Sequence, residues 1–245
     1  MLLNADLGES FGTWFKGMDH AVMPYIDQAS IACGFHAGDP LAIHQALTLA
    51  QKHNVTIGAH PSYPDLVGFG RRHMHCDPDE LRALMTYQIA ALDGMAASLG
   101  LQISYVKPHG ALYNDMMKSD SIRLNIMQAI ANYHRPLHLM LQATVNSDKH
   151  RNEAERAGIF LYFEAFADRA YDQNGLLVNR QDSLALHSHD RMLDQVRQLV
   201  EDGAVTTLTG KVLTLHADTL CVHGDNRTGV EAIAHIRQLL NGNAE

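Results

Sequence analysis

Residues 55–72 read Val-Thr-Ile-Gly-Ala-His-Pro-Ser-Tyr-Pro-Asp-Leu-Val-Gly-Phe-Gly-Arg-Arg, a short apolar run that leads into a loop. The β-branched start predicts a strand, and the glycines and prolines after it prevent regular structure. The loop also carries His60, Arg71 and Arg72. Such loops on a rigid scaffold are where binding and catalytic groups usually lie. A surface loop whose arginines bind neighbouring carbonyls would have the same sequence, so the rest of the chain must decide.

The alternation of strand, loop and helix extends in both directions from this stretch. Asp39-Pro40 predicts a helix start, with Asp39 as the N-cap and Pro40 at the first helical position. The predicted strands are residues 2–7, 27–33, 55–59, 103–106, 137–141, 159–163 and 220–222. The predicted helices are residues 19–25, 40–54, 78–100, 120–133, 148–157, 191–201 and 230–240.

The predicted strands are short, continuous apolar runs, which indicates burial on both faces and hence a parallel sheet covered by helices. About seven such units fit the chain, so we expect an irregular, seven-stranded (β/α) barrel. A doubly wound open sheet is the alternative. We find no linker and no shift in composition, so residues 1–245 are expected to form a single barrel domain.

The composition excludes several classes of partner. The chain has 245 residues, a net charge of -8 and a pI near 6.0, whereas nucleic acids and anionic membranes select basic surfaces. No apolar run is long enough for a membrane-spanning helix, and the polar residues Asn4, Asp6 and Glu9 exclude a signal peptide. The 3 cysteines are widely spaced, which favours reduced thiols in a cytoplasmic protein.

Ionisable side chains follow most of the predicted strands. Because active sites of parallel barrels lie at the carboxyl ends of the strands, these side chains are expected to share one face. A single histidine is more often structural, but repetition at six strand ends favours a catalytic or binding face. In chain order they are Asp6 and Glu9; His36 and Asp39; His60, Arg71 and Arg72; Lys107 and His109; Glu164, Asp168 and Arg169; and His223 and Asp225.

Common catalytic motifs do not settle the chemistry. The sequence has no P-loop, no G-x-S-x-G elbow and no H-E-x-x-H motif. Asp6, His36 and His60 have the residue types of a metal site with one carboxylate and two imidazoles. A hydrogen-bonded cluster without metal explains the same residues equally well. Residues 187–190, His-Ser-His-Asp, are interpreted as the start of a helix.

Longer blocks of sequence carry a resemblance to a known family. They are residues 4–9, 32–40, 58–72, 107–113, 164–171 and 221–225. Together these blocks resemble the LamB/YcsF family over nearly the whole chain. The sequence departs from the family pattern at Leu2, at residues 178–180 and at residues 226–229, none of which carries a group expected to be catalytic.

The resemblance implies a barrel related to those of glycoside hydrolases and polysaccharide deacetylases. It also implies ATP-dependent opening of 5-oxoproline to L-glutamate, together with 5-oxoprolinase subunits B and C. The missing P-loop suggests that ATP binds mainly on a partner or through an unrecognised site in this chain, and the sequence does not establish whether a divalent metal is bound. The alternatives are a metal-dependent, deacetylase-like hydrolase that acts alone and a subunit that binds the lactam without catalysis.

Opening a lactam requires activation, for example phosphorylation of the amide oxygen, followed by attack of water. The reaction then needs a base, a stabiliser of the oxyanion and an acid for the departing nitrogen. The catalytic candidates are Asp6 or His60 as the base, Glu9 to orient it, and Lys107 with His109 to stabilise the oxyanion or phosphate. The candidates for substrate binding are His36, Asp39, Arg71, Arg72, Glu164, Arg169, His223 and Asp225.

Overall fold

The computed structural model describes residues 1–180, 182–223 and 227–242. Its strands are β1 (Leu2–Leu7), β2 (Gln28–Ala32), β3 (Thr56–His60), β4 (Ile103–Val106), β5 (His138–Gln142), β6 (Phe160–Phe166), β7 (Ala204–Thr206), β8 (Val212–Thr214) and β9 (Thr219–Cys221). Its helices are α1 (Asp19–Val22) with a 3-10 turn (Met23–Tyr25), α2 (Pro40–His53), α3 (Pro78–Ser98), α4 (Gly110–Lys118), α5 (Asp120–Ala131), α6 (Ser147–Ala157), α7 (His189–Asp202) and α8 (Arg227–Leu240).

Within these residues, seven parallel strands close into a barrel in the order β1-β2-β3-β4-β5-β6-β9. The closure is made by β9, which pairs with β6 on one side and with β1 on the other. Strands β7 and β8 form a separate antiparallel pair outside the barrel. The predicted seven-stranded (β/α) barrel is therefore confirmed. None of the helices in the described part of the chain combines the length and apolar character that a membrane crossing requires.

The helix α2 shows how the sequence sets an element that follows a strand. The Asp39 carboxylate accepts hydrogen bonds from the backbone N–H groups of Leu41 and Ala42, and Pro40 occupies the first turn. The helix ends at Asn54, which adopts the left-handed conformation common at helix C-termini. The capping residues thus set where α2 starts and ends, and the barrel strand β3 begins two residues after Asn54.

A close contact between strands β3 and β4 fills the barrel interior. The ring of Tyr105 packs against Gly58, where an added Cβ would lie 2.3 Å from the nearest ring atom. The Tyr105 hydroxyl lies 3.2 Å from the Ser30 hydroxyl, so this large buried side chain also satisfies its polar end. Glycine at position 58 is therefore a packing requirement rather than only a turn signal.

Three features differ from the predicted elements. Strand β6 continues to Phe166, so Glu164 lies inside the strand and not after its end. Helix α4 begins directly after the loop that follows β4, and the β7–β8 pair follows α7; neither was predicted. Asp225 lies outside the described residues.

Candidate active site

A cavity of about 230 Å³ opens at the carboxyl ends of the strands. Its wall includes eight of the residues expected from the sequence: Asp6, Glu9, His60, Arg71, Lys107, His109, Arg169 and His223. Asp6 and His60 lie at the carboxyl ends of β1 and β3, and the other six lie in the segments that follow β1, β3, β4, β6 and β9. The shared edge of the parallel strands thus brings together side chains that are distant in sequence.

Lys107 lies at the centre of a buried charge network. Its Nζ atom is 2.9 Å from Asp6 Oδ1 and 2.9 Å from Glu164 Oε2. The same ammonium donates to the side-chain oxygen of Asn4 at 3.2 Å and contacts Cys221 Sγ at 3.3 Å. Burial alone would lower the pKa of Lys107, but the neighbouring carboxylates of Asp6 and Glu164 raise it well above its usual value. Lys107 is therefore a fixed positive charge.

The two carboxylates next to Lys107 have different environments. Burial alone would raise the pKa of Asp6, but its interactions with His60, Lys107 and His223 bring it below its usual value. For Glu164 burial dominates and raises the pKa, although Lys107 partly offsets this. Asp6 lines the cavity, whereas Glu164 lies behind Lys107 with its side chain fully buried. Asp6 is thus the ionised carboxylate that a ligand would meet.

Histidine rings and one carboxylate form a second cluster beside this network. The His60 Nδ1 atom is 2.7 Å from the Lys107 carbonyl, and the His109 Nε2 atom is 2.9 Å from the Phe69 carbonyl. The other nitrogens of the two rings, His60 Nε2 and His109 Nδ1, lie 2.9 Å apart. Burial lowers the pKa of His60 to about 4 and that of His109 well below its usual value, so both rings are neutral at pH 7.

Glu9 and His36 complete this cluster. Glu9 Oε1 is 3.1 Å from His36 Nε2, 3.4 Å from His109 Nδ1 and 4.0 Å from His60 Nε2. The His36 ring stacks on the His109 ring with centroids 3.8 Å apart and an interplanar angle of 6°. One donor atom each from Glu9, His36, His60 and His109 lies within 4.8 Å of the others, which is the spacing of a metal site. Asp6, Cys221 and His223 satisfy the same spacing, but Lys107 already contacts two of them.

Arginine side chains also line the cavity. They are Arg71, Arg169 and Arg180. Arg169 is only 7% exposed and donates to the Val178 carbonyl at 2.6 Å, while its buried Nε has no hydrogen-bond partner among the described residues. Burial lowers the pKa of Arg169, and the charges of Arg180 and Arg71 add to this effect. Three guanidinium groups around one cavity favour an anionic ligand.

His223 lines the cavity in an orientation that Asp168 fixes. The His223 Nδ1 atom donates to Asp168 at 2.9 Å, and the Asp168 side chain is fully buried. The His223 ring also stacks on Phe166 with centroids 5.8 Å apart. A carboxylate that accepts from one imidazole nitrogen fixes the tautomer, so the other nitrogen is available for proton transfer.

The sequence is similar to those of known proteins over nearly the whole chain. Residues 1–244 match the LamB/YcsF family. The chain belongs to the LamB/YcsF family. It is 52% identical to the second 5-oxoprolinase A subunit of Pseudomonas putida, over 99% of this chain and 94% of that protein. It is 50% identical to the 5-oxoprolinase A subunit of Pseudomonas fluorescens, over 98% of this chain and 97% of that protein.

A solved structure has the same fold. The crystal structure of the lactam utilization protein from Thermus thermophilus superimposes with a TM-score of 0.89 at 36% identity. The match covers 99% of this chain and 96% of that one. The resemblance stated from the sequence blocks is therefore confirmed.

Two residues expected to bind substrate make structural contacts away from the cavity. The Asp39 carboxylate caps α2 and also accepts a hydrogen bond from the backbone N–H of Gly12. It therefore links the start of α2 to the loop after β1. The Arg72 guanidinium pairs with the buried carboxylate of Asp65, and its side chain is 66% exposed. Neither residue belongs to the cavity wall. His36 also lies outside the wall, behind Glu9 and His109.

Other residues of the LamB/YcsF cavity were not expected from the sequence. Tyr113 and Asn114 enter from α4, and Asn179 and Arg180 enter from the long loop after β6. The polar composition of that loop and its position after a strand are the signals that could have indicated them. No comparable signal exists for Cys221, which contacts Lys107 only because β9 closes the barrel.

Proposed function

We propose that this chain is the A subunit of an ATP-dependent 5-oxoprolinase and that its cavity is where the cyclic amide of 5-oxoproline is opened to give L-glutamate. The observation that carries the proposal is the buried Lys107–Asp6 pair at a cavity that is also lined by three arginines. Family membership and relatives named as A subunits of 5-oxoprolinase support it. That name also supports assembly with partners, which we propose to be subunits B and C.

The size and charge of the cavity support a small anionic substrate. Its volume of about 230 Å³ is below the roughly 300–1,000 Å³ of pockets for drug-sized ligands, which suits one small ring better than a nucleotide. 5-Oxoproline carries a carboxylate, and a phosphorylated form carries further negative charge. We propose that Arg71, Arg169 and Arg180 bind these anionic groups by charge-assisted hydrogen bonds.

The division of labour between subunits follows from the same features. The sequence has no P-loop, and the cavity is small, so we propose that the partner subunits bind ATP and phosphorylate the amide oxygen. The activated lactam is then a better electrophile than the amide. Asp6 is a weak base because its pKa is lowered, and a weak base is sufficient when the electrophile is activated.

Each step of the ring opening has a candidate group in the cavity. Asp6 accepts a proton from the attacking water as its oxygen bonds to the carbonyl carbon. Lys107 stabilises the negative charge of the tetrahedral intermediate. His223, carrying hydrogen on both ring nitrogens and oriented by Asp168 through Nδ1, donates its Nε2 proton to the ring nitrogen as the carbon–nitrogen bond breaks. Without that proton, expulsion of phosphate would regenerate the lactam. Hydrolysis of the resulting acyl phosphate gives L-glutamate and phosphate.

Glutamate release tests the proposal in the complex of this chain with its candidate partners. We expect wild-type release to require 5-oxoproline, ATP and the partners, and Asp6→Asn and His223→Gln to lower kcat by about 10²–10⁴-fold, the usual contribution of acid–base catalysis. The matched control is Asp190→Asn, because the Asp190 side chain is 98% exposed.

Wild-type rates in folded Asp6→Asn and His223→Gln variants would support a subunit that binds the lactam without catalysis. Hydrolysis of an amide by this chain without ATP and partners would support a stand-alone hydrolase.

A further inference from the structure

Two backbone carbonyls fix the tautomers of His60 and His109. A carbonyl oxygen only accepts hydrogen bonds, so His60 Nδ1 and His109 Nε2, at 2.7 Å and 2.9 Å from the Lys107 and Phe69 carbonyls, must both carry hydrogen. In a neutral imidazole the other nitrogen then has none. His60 Nε2 and His109 Nδ1 therefore direct two lone pairs at each other across 2.9 Å.

Such a contact is repulsive unless a cation lies between or beside the two nitrogens. The surroundings attract a cation, because Glu9 Oε1 is 3.4 Å from His109 Nδ1 and Asp6 Oδ2 is 3.4 Å from His60 Nε2. The cation is either a proton shared by the two rings or a metal ion. The donor atoms and their spacing distinguish these two cases.

We propose that His60 Nε2, His109 Nδ1 and Glu9 Oε1 bind one divalent transition-metal ion. Two donors that are each about 2.1 Å from one ion lie about 3.0 Å apart at a right angle and about 4.2 Å apart on opposite sides. The three observed separations, 2.9, 3.4 and 4.0 Å, match this range. Two imidazoles and one carboxylate form the open ligand set that suits Zn²⁺, Co²⁺ or Fe²⁺.

The groups around these donors have the features of a metal site. Ligating histidines usually donate their second N–H to a carbonyl or carboxylate, as both of these rings do. The three ligands line the cavity, so the remaining coordination positions would face a bound substrate. The ligand set revises the one considered from the sequence, since His109 and Glu9 replace His36 and Asp6.

His36 has a positioning role in this site. Its ring is parallel to that of His109 within 6° and lies 3.8 Å from it, so one ion cannot lie in the planes of both rings. The His36 Nε2 atom instead lies 3.1 Å from Glu9 Oε1, where its N–H would orient the carboxylate. Asp6 is held by Lys107 and adds a second negative charge beside the ion.

Metal binding by the purified full-length chain tests the proposal without any measurement of hydrolysis. After treatment with a chelator, Zn²⁺, Co²⁺ and, without oxygen, Fe²⁺ are added separately and bound metal is measured by mass spectrometry, with Co²⁺ also followed by visible absorption. We expect one ion per chain. Loss of a residue that only orients a metal ligand typically weakens metal binding by about 10–100-fold. We expect His36→Gln to weaken binding within that range, and His60→Gln and His109→Gln each to weaken it by more. His150→Gln, at another buried histidine, is the control and should bind as wild type does.

A second measurement uses only the wild-type chain, in case the variants do not fold. In the Co²⁺-loaded protein, NMR should show two exchangeable imidazole N–H resonances with paramagnetic shifts, from His60 Nδ1 and His109 Nε2. No saturable binding of any of the three ions, equal binding by folded His109→Gln, or a proton shared by the two rings in the presence of metal would each overturn the proposal.

Discussion

Lys107 and Glu164 form an ion pair inside the barrel, with Nζ and Oε2 2.9 Å apart and both side chains almost completely buried. Asp6 contributes a second carboxylate to the same ammonium. Buried charges are tolerated only when they are paired, since desolvation of each ion costs several kcal/mol. The network is therefore a condition for folding as well as a feature of the cavity.

Lys107→Met should destabilise the protein strongly because it leaves two buried carboxylates without a counter-charge. We expect the free energy of unfolding at pH 7 to fall by about 3–5 kcal/mol, the usual cost of breaking a buried pair. Urea unfolding followed by circular dichroism measures it. Lys149→Met is the control, because the Lys149 side chain is 52% exposed and should change stability by less than about 1 kcal/mol. Adding Glu164→Gln to Lys107→Met should recover part of the loss; no recovery would contradict the pairing.

The same substitution at two glycines should have opposite effects on stability. Gly58→Ala would place a Cβ 2.3 Å from the Tyr105 ring, and overpacking of this kind costs about 1–3 kcal/mol. Gly94 lies exposed within α3 with no neighbouring atom within 4 Å of an added Cβ. Gly94→Ala should therefore stabilise the protein by about 0.5–1 kcal/mol through helix propensity. Urea midpoints measure both, and equal midpoints would rule out the packing account of Gly58.

His150 should make stability fall as the pH is lowered. Burial, together with the charge of Arg123, lowers its pKa from 6.5 to about 4, while Glu153 acts in the opposite direction. Between these values the unfolded chain binds the proton and the folded chain does not, so this contribution is complete above pH 6.5 and is lost towards pH 4. His150→Gln should reduce the loss of stability between pH 7 and pH 4.5 by about 1–2 kcal/mol, allowing for solvent near the ring. Urea unfolding at the two pH values measures it, and identical pH dependence in both proteins would refute it.

Arg169→Lys should impair substrate binding more than catalysis, if the proposed function is right. Lysine keeps the charge but lacks the fork of donors, and loss of a hydrogen bond to a charged group costs about 1.5–3 kcal/mol, or about 10–100-fold in KM for 5-oxoproline. Steady-state glutamate release by the complex measures KM and kcat separately. Arg197→Lys is a matched control on the exposed face of α7, with a side chain that is 44% exposed. An unchanged KM in folded Arg169→Lys would remove Arg169 from the anion site.

The barrel was predictable because its strands are apolar on both faces and alternate with capped helices. Helix α4 was missed because it starts at Gly110, in the left-handed region, after a His109 whose side chain makes no cap hydrogen bond. The β7–β8 pair was missed because strands of three residues show no periodicity. Local sequence signals therefore identified the helices and strands that are long or have capping residues. They did not identify the short elements that depend on contacts with neighbouring elements.

The candidate site was predictable at the level of strand ends, because parallel strands share one edge. Which side chains enter the cavity depends on contacts that sequence does not encode locally. Arg72 forms an ion pair with Asp65, and Asp39 caps the start of α2, so neither side chain lines the cavity. The pairing of Lys107 with Glu164 joins the end of β4 to β6 across the intervening strand β5, which no local sequence pattern encodes. The family resemblance supplied the reaction, but not this geometry.

The closure of the described barrel with seven strands has a consequence for redesign. Barrel diameter grows with strand number, so seven strands hold opposite walls closer than the usual eight. Lys107 reaches carboxylates on β1 and β6 from the end of β4 across this narrow interior. A widened variant with one more β/α unit between β6 and β9 could retain every residue of the site and still lose the charge network. One lysine would no longer reach both carboxylates.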